Sequence, residues 1–288
     1  MTGQRLVIGI DGGQTKTLTV LANENGEILA SEITGPVNHI HEPGGLERQY
    51  TALRTGFEGV MEAANLPPKP VASAYIGLTG SGDLETVRRA VPSERLTLEG
   101  DLPIALAGAI PDLVGCVILA GTGSAAYGRN ETGETLYVGG MGYFAGDEGS
   151  GYDIAHRGIR AIYQANDGRG PLTPLTRMIL EHFKCQDLRQ LHRKIYSGEL
   201  SRDQIGTVAA LVGKAAALGD PVSIEILHQA GVELGKAAAA VLTRLGQVNK
   251  PVPIATVGGV FRAGGYVIGP MIATVREKNP QALSLIHI

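Results

Sequence analysis

Three glycine-rich turns recur along the chain, and each follows directly after a short apolar run that has the length of a buried strand. They are the first turn at residues 11–16 after the run 6–10, the second turn at 121–124 after 117–120, and the third turn at 258–260 after 254–257. Glycine lets the backbone approach a phosphate closely, and successive N–H groups in such a turn can bind an anion. The order of the turns therefore predicts a nucleotide held between two similar half-domains.

The predicted strands and helices follow a similar order in the two halves of the chain. In the first half the apolar spacing predicts strands at 5–10, 17–22, 27–31, 71–78 and 95–98, with helices at 44–64, 83–90 and 101–110. In the second half it predicts strands at 115–120, 125–129, 136–139 and 254–257, a helix at about 148–165, mainly helical structure at 171–247 and a helix after Gly264. This order predicts an α/β fold of two domains, at residues 1–113 and 114–288, with a helical insertion in the second.

Charge and cysteine content exclude several classes of protein. The formal net charge is −3 and no basic stripe is interleaved with aromatic residues, so nucleic acid is not expected as a partner. The two cysteines, Cys116 and Cys185, have neither a CxxC nor a zinc spacing. The apolar stretch before Asp11 is too short for a signal peptide or a membrane span. We therefore expect a cytoplasmic protein without a membrane partner.

The residues of the first turn suit a phosphate group and a divalent cation. Gly12 and Gly13 offer backbone N–H groups, while Thr15 adds a hydroxyl and Lys16 a positive charge. Asp11 repels a phosphate, so its expected role is to hold Mg²⁺ through water, because Mg²⁺ keeps several of its waters. A plain hairpin turn is the alternative explanation of the same residues.

The second and third turns extend the same chemistry. The second turn repeats the arrangement of the first, so the pair could hold a polyphosphate from both sides, whereas a tight turn is the alternative. Gly258 and Gly259 would let a flat purine lie against the backbone, whereas a plain strand-to-helix turn is the alternative. The chain has no G-x-x-x-x-G-K-[ST] motif and no G-x-G-x-x-G fingerprint after a strand, which excludes the Walker A and Rossmann sites.

Three polar residues outside the turns are candidates for handling an acceptor molecule. Asp101 lies between a predicted strand and a helix, where it could be an N-cap, a general base that orients an attacking hydroxyl, or both. Asp147 lies in the glycine-dense segment 139–151, where a carboxylate could accept hydrogen bonds from two hydroxyls of a polyol, although a loop with an N-cap also explains Asp147. Asn38 could act similarly, although a turn residue is the better explanation when Asn38 is taken alone.

These motifs together resemble the BadF/BadG/BcrA/BcrD ATPase family, and within it the N-acetylglucosamine kinase-like branch of the actin, sugar kinase and Hsp70 superfamily. The segments that carry the resemblance are 9–16, 100–101, 121–124, 146–151 with Ala155 and His156, and 257–260. The Gly-Asp-Glu-Gly-Ser-Gly sequence at 146–151 is the most diagnostic of them. The resemblance implies an α/β fold of two ribonuclease-H-like domains with a central nucleotide cleft, which closes over its ligands.

The resemblance also implies a role for individual residues, with ATP and Mg²⁺ as cofactors. The first phosphate loop is Asp11, Gly12, Gly13, Thr15 and Lys16, the second is Gly121, Thr122, Gly123 and Ser124, and the adenosine motif is Gly258 and Gly259. Asp101 is implied to be the catalytic base. The residues that would face a sugar are Asn38, Thr79, Gly80, Gly140, Met141 and Asp147. We also expect a homodimer.

Two departures from the family pattern bear on these expectations. Met141 replaces the tryptophan that mammalian N-acetylglucosamine kinases carry in their Gly-Gly-Trp-Gly loop, which leaves glucosamine or another hexose open as the substrate. Family members also continue with a last helix that packs back onto the first domain, whereas this chain stops at Ile288. We expect this difference to affect domain closure or stability.

The expected function is ATP-dependent phosphorylation of an amino sugar, N-acetylglucosamine or glucosamine, at its 6-hydroxyl. One alternative is an ATPase activator of a radical 2-hydroxyacyl-CoA dehydratase, which holds an iron–sulfur cluster with cysteines at a dimer interface. Cys116 in a predicted buried strand and Cys185 in the helical insertion offer no suitable site for it. A second alternative is a non-catalytic sugar sensor, which needs a partner or a DNA-reading module, and no helix-turn-helix segment precedes Arg5.

Overall fold

The chain divides into two compact units, each with its own sheet. The computed structural model describes residues 5–13, 16–37, 40–80 and 82–287. Contacts within the chain separate Met1–Ala105 from Leu106–Ile288, and this division lies inside helix α3 (Asp101–Ala109). The domain boundary that we expect after residue 113 lies beyond the end of this helix and stays a prediction.

The sheet of the first unit is formed by strands β1 (Leu6–Gly12), β2 (Thr17–Asn23), β3 (Ile28–Thr34), β4 (Val71–Leu78) and β5 (Ser93–Gly100). Their order across the sheet is β3-β2-β1-β4-β5, and β1 is antiparallel to β2 but parallel to β4. Helices α1 (Gly45–Ala63) and α2 (Leu84–Ala90) belong to the same unit. Its core includes Ile8 and Ile10 of β1 together with Phe57 of α1, because alternate strand residues face the helix layer.

The sheet of the second unit repeats this topology. It consists of β6 (Gly115–Ala120), β7 (Ser124–Arg129), β8 (Thr135–Gly139), β9 (Pro253–Val257) and β10 (Leu283–His287). The order is β10-β9-β6-β7-β8, with β6 antiparallel to β7 and parallel to β9. Strand β6 thus takes the place of β1, and the topology confirms the expected fold class of two ribonuclease-H-like α/β domains. Strand β10, which the sequence did not predict, takes the place of β5.

The remaining elements of the second unit are mostly helices. Their bounds are α4 (Gly142–Ala145), α5 (Gly151–Asn166), α6 (Leu175–His182), α7 (Leu188–Tyr196), α8 (Arg202–Gly206), α9 (Val208–Ala217), α10 (Pro221–Arg244), a 3₁₀ helix (Gly259–Ala263) and α11 (Gly265–Lys278). Helix α5 begins later than the expected residue 148, because Asp147 and Gly149 have φ angles of 60° and 76°. Ser150 then caps the helix by accepting a hydrogen bond from the Asp153 N–H.

No single helix within the described residues is long and apolar enough to cross a membrane. The segments Arg202–Ala217 and Pro221–Arg244 are together long and apolar enough, but they are bent by 120° relative to each other.

The contact between α10 and α11 generates a prediction about stability. A Cβ atom at Gly235 would lie 2.7 Å from the Met271 carbonyl oxygen and 2.7 Å from Thr274 Cβ, so Gly235→Ala should lower the free energy of unfolding by about 1–3 kcal/mol. Gly213 in α9 has no heavy atom within 4 Å of the same position. The control Gly213→Ala should therefore be neutral or stabilising by up to about 1 kcal/mol. Urea unfolding measures both, and equal stability of the two variants would contradict the predicted clash.

Candidate functional site

The first turn is held against the end of the neighbouring strand. The Thr79 N–H donates a hydrogen bond to the Gly12 carbonyl at 2.8 Å, and the Gly13 N–H donates to the Lys16 carbonyl at 2.9 Å. A Cβ atom at Gly12 would lie 2.7 Å from Val37 Cγ2, so this position has no room for a side chain. Thr15, which we expect in this turn, lies outside the described residues. The glycine at position 12 is therefore required by packing.

Two acidic residues and a threonine meet at one edge of the first sheet. Strands β1, β4 and β5 are parallel neighbours, so their carboxyl ends lie at the same edge. Asp11 lies in β1 near its carboxyl end, and Asp101 is the first residue of the helix that follows β5. The Thr79 hydroxyl after β4 donates to Asp101 Oδ2 at 2.8 Å. The structure thus brings together Asp11, Thr79 and Asp101, while Gly80 follows with a φ angle of 86°.

The electrostatics of this edge favour a cation. Partial burial of the Asp11 carboxyl raises its pKa above the ordinary value, the negative charge of Asp101 raises it further, and Lys16 opposes this shift. A divalent cation bound between the carboxyls would relieve the repulsion. In the part of the chain that the structure describes, no group of three or more His, Cys, Asp or Glu residues could hold a metal ion. A cation here would therefore complete its coordination with water or with oxygens of a ligand, which is how Mg²⁺ is usually bound.

The second turn is held by the start of helix α5. The Gly151 N–H donates to the Gly121 carbonyl at 2.7 Å, and the Tyr152 N–H donates to the Thr122 carbonyl at 3.3 Å. The Ser124 hydroxyl donates to the Glu148 carbonyl at 2.7 Å. These bonds tie the second turn to the glycine-dense segment, although the two are separate in the sequence.

Asp147 lies directly against the second turn. Its side chain is 6% exposed. The Ser124 N–H donates to Asp147 Oδ1 at 3.2 Å, and Arg202 Nη2 donates to Oδ2 at 2.6 Å. A Cβ atom at Gly123 would lie 3.0 Å from Asp147 Oδ1, so the absence of a side chain there makes room for the carboxylate. Both carboxylate oxygens therefore have a partner from the protein itself.

The third turn lies beside the second. Gly258 has a φ angle of 119°, and a Cβ atom there would lie 3.1 Å from the Gly121 nitrogen and closer still to the Ala120 carbonyl. Only glycine allows this approach of the two strand ends. The two turns border a cavity of about 600 Å³, which helices α5, α8 and α9 and the 3₁₀ helix also line. This volume lies in the range of small-molecule and cofactor sites.

The remaining residues that we expect at a sugar site fall in two places. The Gly140 N–H donates to the Ser124 carbonyl at 3.0 Å, which brings Gly140 to the second turn. Met141 is 72% exposed and borders a separate cavity of about 390 Å³ together with Glu148 and Lys236. Asn38 lies outside the described residues.

Sequence reasoning missed two features of this site. Arg202 lies 55 residues from Asp147 in a stretch that the sequence predicts only as helical, and no local signal marks it. The cavity wall on α8 and α9 carries the small residues Gly206, Ala210, Gly213 and Ala217. Their spacing of three or four places them along one helical side, a pattern that could have indicated room for a ligand.

The paired sheets and the glycine turns at their strand ends define the class of the protein, a two-unit α/β fold of the ribonuclease-H-like kind found in sugar kinases and ATPases. The BadF/BadG/BcrA/BcrD ATPase family matches residues 8–285, and the chain belongs to this family.

Named relatives of the chain include sugar kinases. The N-acetylmuramic acid/N-acetylglucosamine kinase of Clostridium acetobutylicum is 31% identical over 99% of this chain and 98% of its own length. The N-acetyl-D-glucosamine kinase of Dictyostelium discoideum is 30% identical over 97% of this chain and 92% of its own length. The solved structure of a Chromobacterium violaceum protein assigned as an N-acetylglucosamine kinase superposes with a TM-score of 0.76, at 28% identity over 99% of this chain and 94% of that one.

The raised pKa of Asp11 generates a prediction about pH dependence. A carboxyl whose pKa is higher in the folded than in the unfolded protein lowers the stability once the pH exceeds the folded-state pKa. Asp11→Asn should therefore gain stability relative to the unmodified protein as the pH rises from about 4 to 7. Urea unfolding at several pH values measures this difference.

Asp83 supplies a control of opposite sign. Its pKa is lowered, first by the hydrogen bond from the Thr86 backbone N–H, so its contribution to stability is present at neutral pH and lost on acidification. Asp83→Asn should therefore lose stability relative to the unmodified protein as the pH rises. The same pH trend for both variants would contradict the electrostatic account of the first turn.

Proposed function

We propose that this protein is a kinase that transfers the γ-phosphoryl group of ATP to the 6-hydroxyl of an amino sugar, N-acetylglucosamine or glucosamine. The observation that carries the proposal is the Asp101 carboxylate at the same sheet edge as Asp11, with one of its oxygens held by the Thr79 hydroxyl. Relatives of about 30% identity with amino-sugar kinase names support the choice of substrate.

Asp101 is proposed as the catalytic base. Because the Thr79 hydroxyl donates to Oδ2, the carboxylate is fixed in one orientation and Oδ1 is left to accept the proton of the sugar hydroxyl. Within the described ranges no hydrogen bond to Oδ1 is found. Orienting the hydroxyl toward phosphorus is the main task of such a base, since phosphoryl transfer depends chiefly on positioning and electrostatic stabilisation.

The first and second turns are proposed to bind the phosphates of ATP. Gly12, Gly13 and Thr15 would act through their N–H and hydroxyl groups and Lys16 through its charge, as would the residues 121–124 in the second unit. Asp11 is proposed to hold Mg²⁺ through water, and its repulsion with Asp101 is consistent with a cation at this place. When bound, Mg²⁺ would neutralise the charge on the phosphate oxygens.

The cavity beside the third turn is proposed as the adenosine site. Its volume of about 600 Å³ suffices for a nucleoside, and small or apolar residues such as Ala210, Gly213 and Val260 form much of its wall. Gly258 and Gly259 would let the purine approach the backbone. On the sugar side we propose Asn38, Thr79, Gly80, Gly140, Met141 and Asp147.

The proposal also covers the setting of the protein. We infer two functional domains at residues 1–113 and 114–288, a homodimer, a cytoplasmic location, and partners that include neither nucleic acid nor membrane. The placement of Cys116 counts against the alternative of a radical dehydratase activator. Its side chain is fully buried in β6, which raises the pKa of the thiol to about 12, so it is unsuited to ligate a cluster at a dimer surface.

Asp101→Ala tests the catalytic assignment. A coupled assay measures ADP formation with N-acetylglucosamine, glucosamine, glucose and N-acetylmuramic acid in turn. In Asp101→Ala, kcat should fall at least about 100-fold while ATP still binds, because the oriented proton acceptor is lost. The control Asp112→Ala removes an exposed aspartate from the second unit and should leave kcat unchanged. Retained turnover in Asp101→Ala would place the base elsewhere, and absence of turnover by the unmodified protein with every sugar would refute the kinase proposal.

A substitution that fills the cavity tests the adenosine site. Gly213→Phe directs a ring into the open space of the cavity and should raise the Kd of ATP at least about tenfold, with thermal stability preserved. Gly213→Ala, the matched control, leaves most of the cavity open and should bind ATP as the unmodified protein does. Isothermal titration calorimetry measures both, and unchanged ATP affinity in Gly213→Phe would contradict the assignment of the cavity.

A further inference from the structure

Arg202 joins parts of the second unit that are distant in the sequence. It is the first residue of the short helix α8, whose start is fixed by a capping box between Ser201 and Gln204. Its Nη2 donates to Asp147 Oδ2 at 2.6 Å. Neither the local sequence nor the roles derived so far explain why an arginine stands here.

The guanidinium group of Arg202 contacts the helices that precede and follow Asp147. It lies 4.9 Å from the ring centre of Tyr143, which belongs to α4, and 5.5 Å from that of Tyr152, which belongs to α5. Asp147 lies between these two helices. The arginine therefore contacts the residue itself and the elements that precede and follow it.

The Asp147 carboxylate needs such a partner. A nearly fully buried carboxylate without a paired charge is strongly disfavoured, and loss of one partner leaves the other uncompensated. A carboxylate has about four acceptor positions, of which the Ser124 N–H and Arg202 use two. Two positions are left for the hydroxyls of a ligand, provided that the carboxylate keeps its orientation.

We propose that Arg202 is a positioning residue that acts through Asp147. It holds the Asp147 carboxylate against the second turn, so that two acceptor positions of the carboxylate stay free for neighbouring hydroxyls of the sugar. The inference rests on the proposed function, since it assigns Asp147 to the sugar. It adds a residue outside the glycine turns, and it makes sugar affinity depend on a helix of the insertion.

The geometry requires an arginine rather than any cation. Arg202 Nε is buried and has no hydrogen-bond partner among the described residues, so the ion pair and the two rings set the plane of the guanidinium. A buried donor without a partner is costly, which indicates that this placement serves something other than stability. A lysine would keep the charge but lose the planar contact with the rings.

The test compares Arg202→Met and Arg202→Lys with the unmodified protein in steady-state kinetics. Arg202→Met should raise the KM for the amino sugar about 30-fold or more, because it leaves the nearly buried Asp147 carboxylate without its charged partner, while the KM for ATP stays unchanged and kcat falls less than the sugar KM rises. Arg202→Lys should recover part of the loss. Arg189→Met, the same substitution at an exposed arginine of α7, should change neither constant.

A double-mutant cycle with Asp147→Asn separates positioning from a direct role. If Arg202 acts through Asp147, Arg202→Met should have little further effect on sugar KM in the Asp147→Asn background. The proposal would be overturned if Arg202→Met raised the sugar KM equally in both backgrounds, or if it raised the KM for ATP instead. An effect confined to N-acetylmuramic acid, which carries a lactyl carboxylate, would also overturn it.

Two further measurements keep the test decisive. Melting temperatures of the variants are recorded, and Arg202→Gln replaces Arg202→Met if the latter does not fold. If the unmodified protein phosphorylates no sugar, the proposed function fails, and calorimetric sugar affinities of the same variants then test Arg202 alone. Equal sugar affinity of the unmodified protein and the Arg202 variants would overturn the role of Arg202.

Discussion

The close approach of two strand ends in the second unit is the constraint on which its site depends. Gly258 lies so near the Ala120 carbonyl and the Gly121 nitrogen that no other residue could stand there without moving β9 away from β6. This approach places the second and third turns side by side and forms one border of the 600 Å³ cavity. In the first unit, Gly12 packs against Val37 and Leu78 under a similar constraint. The glycines therefore shape the backbone before any ligand is considered.

The two acidic centres of the protein differ in how their negative charge is compensated. Partial burial raises the pKa of Asp11 and the negative charge of Asp101 raises it further, so the first unit holds an unfavourable charge arrangement that a cation would relieve. Asp147 is instead compensated within the protein by Arg202 and the Ser124 N–H. The first arrangement suits a metal and a reacting hydroxyl, whereas the second suits neutral hydroxyl groups that are to be bound and oriented. Separating these tasks is consistent with a kinase that binds two substrates.

Much of the fold could be predicted because its signals are local. The apolar runs before each glycine turn form strands β1, β6 and β9, and the family resemblance is confirmed over most of the chain. Strand β10 is not among the strands that the sequence analysis predicts, although its sequence is short and largely apolar; in the structure it pairs in parallel with β9. Helix α5 begins later than the sequence predicts, because Asp147 and Gly149 have a left-handed backbone and the Asp147 carboxylate is held by the Ser124 N–H, a contact distant in the sequence. The role of Arg202 could not be predicted, because its ion pair joins segments that are 55 residues apart.

The central claim is that the acidic edge of the first unit serves transfer of a phosphoryl group to a sugar, and the chemical identity of the product tests it most directly. The protein would be incubated with ATP, Mg²⁺ and N-acetylglucosamine or glucosamine, and the mixture analysed by ¹H–³¹P correlation NMR. We predict a sugar phosphomonoester whose phosphorus couples to the protons on C6, formed in the same amount as ADP. Formation of ADP without a sugar phosphate, or a phosphate on another oxygen of the sugar, would contradict the account.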